Sequence, residues 1–193
     1  MKYKVGLLEA FTRQALGLAA IGSVVTLASL AHAESIVDQP RNHPSYALEL
    51  EPHLLLGWAN VDTNDPIPKR IDFNKHAGFG PGLRLSIPLV DNGFIPKINN
   101  NVAIGFGVDW AHYGTNSDVL WFPVVLQWNF FLTDVITAFG EPGISLRHAS
   151  YRDNPWAVDT VFQLGAKFMF GRYVGLTVRA GYPYFSAGVS MLF

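Results

Sequence analysis

The sequence predicts an all-β protein folded as an eight-stranded antiparallel up-and-down β-barrel. From Tyr46 to Phe193 apolar side chains recur at every second position, which is the period of a strand with two different faces. This alternation falls into eight segments of about ten residues, and no segment keeps the i, i+3, i+4 spacing of an amphipathic helix. An even number of strands lets the first and last strands pair, so the sheet can close without an open edge.

The predicted strands cover residues 46–58, 78–89, 101–110, 120–130, 136–147, 158–170, 173–180 and 185–193. In that order their apolar faces carry Leu50 and Leu54, Leu83 and Leu85, Phe106 and Val108, Val124 and Leu126, Ile144 and Leu146, Phe162 and Leu164, Leu176 and Val178, and Val189 and Met191. Their opposite faces carry Glu49 and Glu51, Arg84 and Ser86, Asp109, Gln127 and Asn129, Glu141 and Arg147, Asp159 and Lys167, Tyr173, Thr177 and Arg179, and Ser186 and Ser190. Prolines interrupt four strands, and because each lacks an amide donor we expect bulges or bends there. These prolines are Pro52, Pro81, Pro123 and Pro142.

The first 33 residues differ from the remainder of the chain. A positively charged opening is followed by an uncharged apolar run over residues 15–30, and then by the small residues "AHA" ending at Ala33. This order is typical of a secretory signal peptide, and the run is at or below the roughly 17 residues that a membrane-spanning helix needs. We therefore predict a cleavable signal peptide over residues 1–33, a short periplasmic segment over 34–44 and the barrel over 45–193.

The composition excludes several classes of partner and site. With 14 Lys and Arg against 15 Asp and Glu, the chain lacks the basic excess that nucleic-acid phosphates require. It has no cysteine, so a disulfide or a thiolate metal site is excluded. The histidines are scattered without the spacing of metal ligands, so we predict no metal and no cofactor.

The period alone does not say which face of the barrel points outward. A soluble lipocalin-like barrel also has eight strands, but it keeps its apolar face inside. Here the polar face is rich in Gly, Ser and Thr with isolated charges of both signs, whereas a solvated exterior is normally denser in Lys and Glu. Aromatic residues also lie near the strand ends, as in the girdles at membrane interfaces. They are Trp58 and Trp110 at one rim, and Tyr46, Trp128, Phe130, Phe168, Phe170 and Phe193 at the other. We therefore predict a transmembrane β-barrel with its apolar face outward.

This phasing places nine charged residues inside the barrel. They are Glu49, Glu51, Arg84, Asp109, Glu141, Arg147, Asp159, Lys167 and Arg179. An unpaired charge in a narrow interior is costly, so we expect these side chains to pair with one another. Because the side chains of an eight-stranded barrel just fill its interior, the lumen is predicted to be largely filled and barely conducting.

The signal peptide, the eight two-faced strands and the terminal aromatic strand together resemble the small Gram-negative outer-membrane barrels, such as the OmpA membrane domain, OmpX and OmpW. The resemblance implies a location in the bacterial outer membrane after export through the inner membrane, in contact with outer-membrane lipid and lipopolysaccharide. It also implies that the barrel assembly machinery reads the last strand through Phe193, Met191 and Val189. The expected role is structural, surface-interacting or in the passage of a small hydrophobic solute, as in OmpW-like members.

An enzymatic alternative comes from the stretch "RHASYRDNP", where His148 and Ser150 lie two residues apart at the outer rim. A serine nucleophile with a histidine base is the minimum for acyl transfer. The spacing resembles the His-x-Ser motif of the lipid A deacylase PagL, although Tyr151 and Arg152 follow where that family has Asn-Ala. The alternative function is therefore a lipid A-modifying acyl hydrolase. The polar outer loop over residues 59–76 could bind a cation, lipopolysaccharide or a partner protein.

Overall fold

The structure is a computed structural model that describes residues 34–57, 77–113, 117–150 and 154–193. The predicted signal peptide over residues 1–33, the girdle residue Trp58 and the predicted outer loop over residues 59–76 lie outside these described residues. In the described part of the chain, no helix has both the length and the apolar character needed to cross a membrane.

Within the described residues, eight antiparallel strands form one closed barrel in chain order. They are β1 (Glu49–Gly57), β2 (Gly78–Val90), β3 (Asn100–Tyr113), β4 (Ser117–Phe131), β5 (Ile136–Ala149), β6 (Trp156–Met169), β7 (Val174–Tyr182) and β8 (Tyr184–Leu192). Each strand pairs with its neighbours in sequence, and β1 also pairs with β8, from Glu49 opposite Leu192 to Gly57 opposite Tyr184. The predicted closed eight-stranded antiparallel barrel is confirmed.

The two ends of the barrel differ in what connects the strands. We call the inner end the one that carries Phe193 and the connections over residues 91–99, 132–135 and 170–173, and we call the opposite end the outer end. At the inner end the segment before β1 also contacts two of these connections. The amide of Ile36 donates to the carbonyl of Leu132 (3.0 Å), and the amide of Asn99 donates to the carbonyl of Val37 (2.7 Å).

Two positions at the inner end differ from the prediction. The first strand begins at Glu49 rather than Tyr46, and Tyr46 is turned toward the lumen, where its hydroxyl accepts a hydrogen bond from the side chain of Asn101 (3.4 Å). Tyr46 is therefore not part of the outward-facing aromatic girdle predicted at the inner end. Tyr173 was predicted on the inward face of strand seven, but it precedes β7 and is 54% exposed because it belongs to the turn.

Of the bulges or bends expected at the four prolines, the bulges do not occur. The register runs without a shift through Pro52 opposite Leu83, through Pro81 opposite Leu54, and through Pro123 and Pro142 on β4 and β5. A bulge requires an extra residue in one strand, whereas a proline removes one donor and adds no residue. The register shift in the β2–β3 pairing instead falls between Pro88 and Val90.

At the outer end the interior of the barrel is packed with apolar and aromatic side chains. We call this group the outer plug, and it consists of Leu55, Ala111, Tyr113, Val119, Trp121, Ala149 and Tyr184. The ring of Trp121 packs edge-on against Tyr184 at 5.6 Å between centroids and against Tyr113 at 6.5 Å. The outer plug is therefore a small hydrophobic core inside a lumen that is otherwise polar.

The outer plug should contribute measurably to stability. Replacing Leu55, which is 1% exposed, with alanine is expected to reduce the free energy of unfolding by about 2–5 kcal/mol, because the rings around it cannot close the cavity. Leu54 is the matched control, because it lies on the outward face of the same strand and is 55% exposed. Leu54→Ala should cost less. Urea unfolding of the vesicle-inserted protein, followed by tryptophan fluorescence, measures both, and equal losses would contradict the packing.

Candidate functional site

The structure places the nine charged residues of the predicted lumen network inside the barrel. Eight of them are buried, namely Glu49, Glu51, Arg84, Asp109, Glu141, Asp159, Lys167 and Arg179. The ninth, Arg147, is partly buried near the outer end, where its Nε donates to Asp159 Oδ2 (2.6 Å). The other seven lie deeper in the barrel, and we call them the deep network.

Arg179 on β7 joins two carboxylates from other strands. Its Nη2 donates to Glu51 Oε2 (2.7 Å) and its Nη1 donates to Glu51 Oε1, so the pair is bidentate. Its Nε donates to Glu141 Oε2 (3.0 Å). The guanidinium also lies over the ring of Phe139, with 5.1 Å from Cζ to the ring centroid. Two parallel hydrogen bonds fix both the position and the plane of the guanidinium, so Arg179 ties β7 to β1 and β5.

Arg84 on β2 extends this arrangement toward the outer plug. Its Nη1 donates to Glu141 Oε2 (3.1 Å), so Glu141 accepts from both arginines. Its Nη2 donates to the hydroxyl of Tyr184 (3.1 Å) and lies 3.5 Å from Asp109 Oδ2. The hydroxyl of Tyr184 in turn donates to Asp109. Tyr184 therefore belongs to the outer plug through its ring and to the charged network through its hydroxyl.

His53 also contacts the deep network, which was not predicted. Its Nε2 lies 2.9 Å from Asp109 Oδ1, and its Nδ1 lies 3.3 Å from the main-chain oxygen of Glu51. Gly82 stands between His53 and Asp109 in the sheet, paired with both, and a Cβ at this position would contact both side chains. The signal in the sequence was the position of His53 on the same face as Glu49 and Glu51.

A second group of contacts lies nearer the inner end. Lys167 Nζ donates to Glu49 Oε2 (2.5 Å), and the hydroxyl of Ser190 donates to Glu49 Oε1 (2.8 Å). Lys167 Nζ also lies 5.3 Å from the ring centroid of Phe139, the ring that Arg179 contacts. The four buried carboxylates of the deep network thus face two arginines, one lysine and one histidine. This near balance of charge suits structural pairing better than a selectivity ring of one sign.

The outer rim brings the two residues of the enzymatic alternative near one another without joining them. The amide of Asp118 donates to Ser150 Oγ (2.9 Å), and the amide of Ser150 donates to the carbonyl of Asp118 (2.9 Å). The ring of His148 packs edge-on against Trp156 at 4.7 Å. Among the described residues no hydrogen bond joins His148 to Ser150. The serine hydroxyl instead helps to hold the end of β4 to the end of β5.

The rim also contains a histidine–carboxylate pair that was not predicted. His112 Nδ1 lies 2.8 Å from Asp118 Oδ1, and both side chains are about half exposed. The register sets His112 opposite Asp118, so these groups and Ser150 form a row across β3, β4 and β5. Asp118 is in the middle of this row, whereas a catalytic triad needs its histidine there. No group of three or more metal-ligating side chains occurs among the residues that the structure describes.

The last strand presents the predicted assembly residues on its outward face. Val189 is 42% exposed and Phe193 is 63% exposed, while Leu192 between Met191 and Phe193 is buried. The main-chain oxygen of Phe193 accepts hydrogen bonds from the amides of Ala47 and Leu48 (2.6 and 3.2 Å). The end of the chain is thus fastened to the entry of β1, with its aromatic side chain pointing away from the lumen.

Together the fold and the site define a closed eight-stranded antiparallel barrel with an apolar outside and a filled, charged inside. No protein-family model matches the chain, and no curated protein matches it either. Among solved structures it is similar to Ail, the attachment invasion locus protein of Yersinia pestis, at 10% identity and a TM-score of 0.45, over 78% of this chain and 99% of that chain. It is similar to Neisserial surface protein A at 15% identity and a TM-score of 0.40, over 77% of this chain and 96% of that chain. A de novo designed transmembrane β-barrel matches at 11% identity and a TM-score of 0.44, over 78% and 99%. At these identities the likeness concerns the fold alone.

The deep network should be required for a stable barrel. Arg179→Met is expected to lower the free energy of unfolding by about 3–5 kcal/mol, because Glu51 and Glu141 stay buried with a partner removed. Arg172→Met is the control, since Arg172 is an exposed arginine in the turn before β7. Urea unfolding in lipid vesicles compares the two variants. An Arg179→Met protein as stable as Arg172→Met would contradict the importance of these contacts.

Proposed function

We propose that this protein is a bacterial outer-membrane β-barrel with a sealed lumen and a structural or surface-interacting role in the cell envelope. The observation that carries the proposal is the distribution of charge on the described strands. Every charged residue of these eight strands faces the lumen except Asp118, which lies at the outer end of β4. A wall without charge between its two rims is what hydrocarbon requires, because a charged side chain at the bilayer centre is costly.

The height of the apolar wall also fits a membrane. On β4 the outward residues from Leu120 to Phe130 are all apolar or aromatic. Ten residue steps of about 3.3 Å, tilted by about 40° from the barrel axis, rise about 25 Å. The apolar band of an outer-membrane barrel is about 25 Å tall. His112, Asp118 and Ser150 lie just beyond this band, at the level expected for the outer headgroups.

A soluble ligand-binding barrel fits these observations poorly. Its apolar face would surround a ligand, whereas the inward face here carries ion pairs and the outer plug. The outward face would be a continuous apolar surface in water, with Val158 at 68% and Phe162 and Leu164 at 57% exposed. Monomeric soluble proteins rarely expose apolar patches larger than a few hundred Å².

The sealed lumen favours a structural or surface role over transport. The outer plug and the network around Arg179 occupy successive levels of the interior, and most of their members are at most 5% exposed. The passage of a small hydrophobic solute, implied by the resemblance to OmpW-like proteins, would require another route than this lumen. We propose that outer-membrane lipid and lipopolysaccharide contact the wall, and that the assembly machinery recognises Phe193, Met191 and Val189 after export.

A charge in the middle of the wall tests the membrane proposal directly. Val124 is 41% exposed on the outward face of β4, and Val124→Arg should cost about 2–4 kcal/mol of folding free energy in a bilayer. His148→Arg at the outer rim is the control and should cost about 0–1 kcal/mol, because its charge reaches headgroups and water. The measurement is the heat-modifiable gel band of the membrane-extracted protein across a urea series. Equal, small effects of both variants would contradict a membrane wall.

The filled lumen predicts negligible conductance. The purified barrel, reconstituted in a planar bilayer, should give no steady single-channel openings, because side chains fill its interior from the plug to Lys167. A larger porin treated in the same way shows that insertion would be detected. Large and steady openings would overturn the sealed-lumen proposal.

A variant at the outer rim distinguishes our proposal from the acyl hydrolase alternative. Among the described residues no hydrogen bond joins Ser150 to His148, so the serine lacks the base that would activate it. We therefore expect Ser150→Ala to leave lipid A unchanged. Mass spectrometry of lipid A from cells that express the wild type or the variant measures this. Loss of an acyl chain that depends on Ser150 would establish the enzyme instead.

A further inference from the structure

The connection between β2 and β3, residues 91–99, is folded back on the outside of the barrel. The ring of Phe94 packs edge-on against Trp128, which lies on the outward face of β4, at 5.3 Å between centroids. Val102 on the outward face of β3 is only 1% exposed, whereas Phe106 farther along the same face is 39% exposed. The connection and Trp128 together therefore cover the inner end of the apolar wall at β3.

The shape of this connection is held by the side chain of Asn100. Its Nδ2 donates to the carbonyls of Ile95 and Ile98 (both 2.8 Å), and its Oδ1 accepts from Trp128 Nε1 (2.9 Å). The amide of Gly93 also donates to the carbonyl of Asn100 (2.9 Å). These bonds satisfy backbone groups that would otherwise need water, which is a condition for irregular chain to approach hydrocarbon.

The outer surface of the connection is apolar where it continues the wall. Phe94 is 59% exposed and Ile95 is 40% exposed, and Leu89, near the end of β2 that leads into the connection, is 58% exposed. Lys97 and Asp91 are exposed on the same connection. Apolar side chains held in fixed positions beside charged ones are typical of segments that lie in a membrane interface.

We propose that residues 91–99 form an interfacial anchor that inserts Phe94 and Ile95 into the periplasmic leaflet of the outer membrane. This inference rests on the proposed function, because the same bilayer must surround the barrel. The occupant is lipid, since the apolar surface of the connection continues into the lipid-facing wall through the contact of Phe94 with Trp128. Lys97 contacts the anionic headgroups, while Asp91 stays in water. The length of this connection, unusual for the periplasmic side of such barrels, thereby has a role.

Site-directed spin labelling tests the anchor, because the chain has no cysteine and each introduced one is labelled alone. The variants are Phe94→Cys and Ile95→Cys in the anchor, Val124→Cys in the middle of the wall and Asp91→Cys as the aqueous control. Each protein is folded into vesicles of phosphatidylethanolamine and phosphatidylglycerol, and its heat-modifiable band shows that it has folded. Collision of the label with oxygen reports hydrocarbon, and collision with a water-soluble nickel chelate reports water.

The oxygen-to-nickel collision ratio at Phe94 and Ile95 should exceed that at Asp91 by about threefold or more and stay below that at Val124, as for side chains several ångströms into the interface. Ratios at both anchor positions equal to that at Asp91, with a high ratio at Val124, would overturn the anchor and leave the membrane barrel intact. A low ratio at Val124 as well would overturn the membrane barrel and the anchor together. The two failures are therefore distinguishable.

Discussion

The pairing of β1 with β8 is the interaction on which the other features of this barrel depend. It gives every strand two hydrogen-bonded neighbours, so that no row of unpaired amides and carbonyls meets lipid. It also fixes the circumference at eight strands, and this small circumference leaves an interior that side chains fill. The polar faces of all strands are then forced together, and their charges must find partners within a few ångströms. The network around Arg179 and the apolar outside wall are two results of the same closure.

Within that interior, the partners of each charge come from distant strands. Glu141 on β5 accepts hydrogen bonds from Arg84 on β2 and Arg179 on β7, so a single carboxylate links three parts of the circumference. A buried ion pair gives little net stability compared with apolar packing of the same volume, but it penalises arrangements that separate the partners. A strand shifted by one residue would turn its charges to the lipid. The network thus acts mainly on the choice of register, while the outer plug supplies apolar packing.

Much of the fold could be predicted from the sequence, because the period of two determines whether each side chain lies on the inward or the outward face of its strand. That rule placed Glu51, Arg84 and Arg179 on one surface without any knowledge of the register. It could not say which of them touch, since partners across the lumen depend on the stagger of eight strands. Trp121 and Tyr184 were missed for a related reason: they lie on the inward face, and an aromatic residue there breaks the simple division into apolar outside and polar inside. The contact of His53 with Asp109 depends on the missing side chain of Gly82, which lies between them in the sheet. Only the strand register shows that these three residues are neighbours.

The partners in the deep network are far apart along the chain, and this separation affects the rate of unfolding. Glu49 and Lys167 are 118 residues apart, Glu51 and Arg179 are 128 apart, and Glu49 and Ser190 are 141 apart. Neighbouring strands can pair through short connections, whereas these contacts need nearly the whole circumference in place. Interactions that are absent from the folding transition state mainly slow unfolding rather than speed folding. In our proposal the lumen transports nothing, and its contacts would instead determine how slowly the closed barrel unfolds.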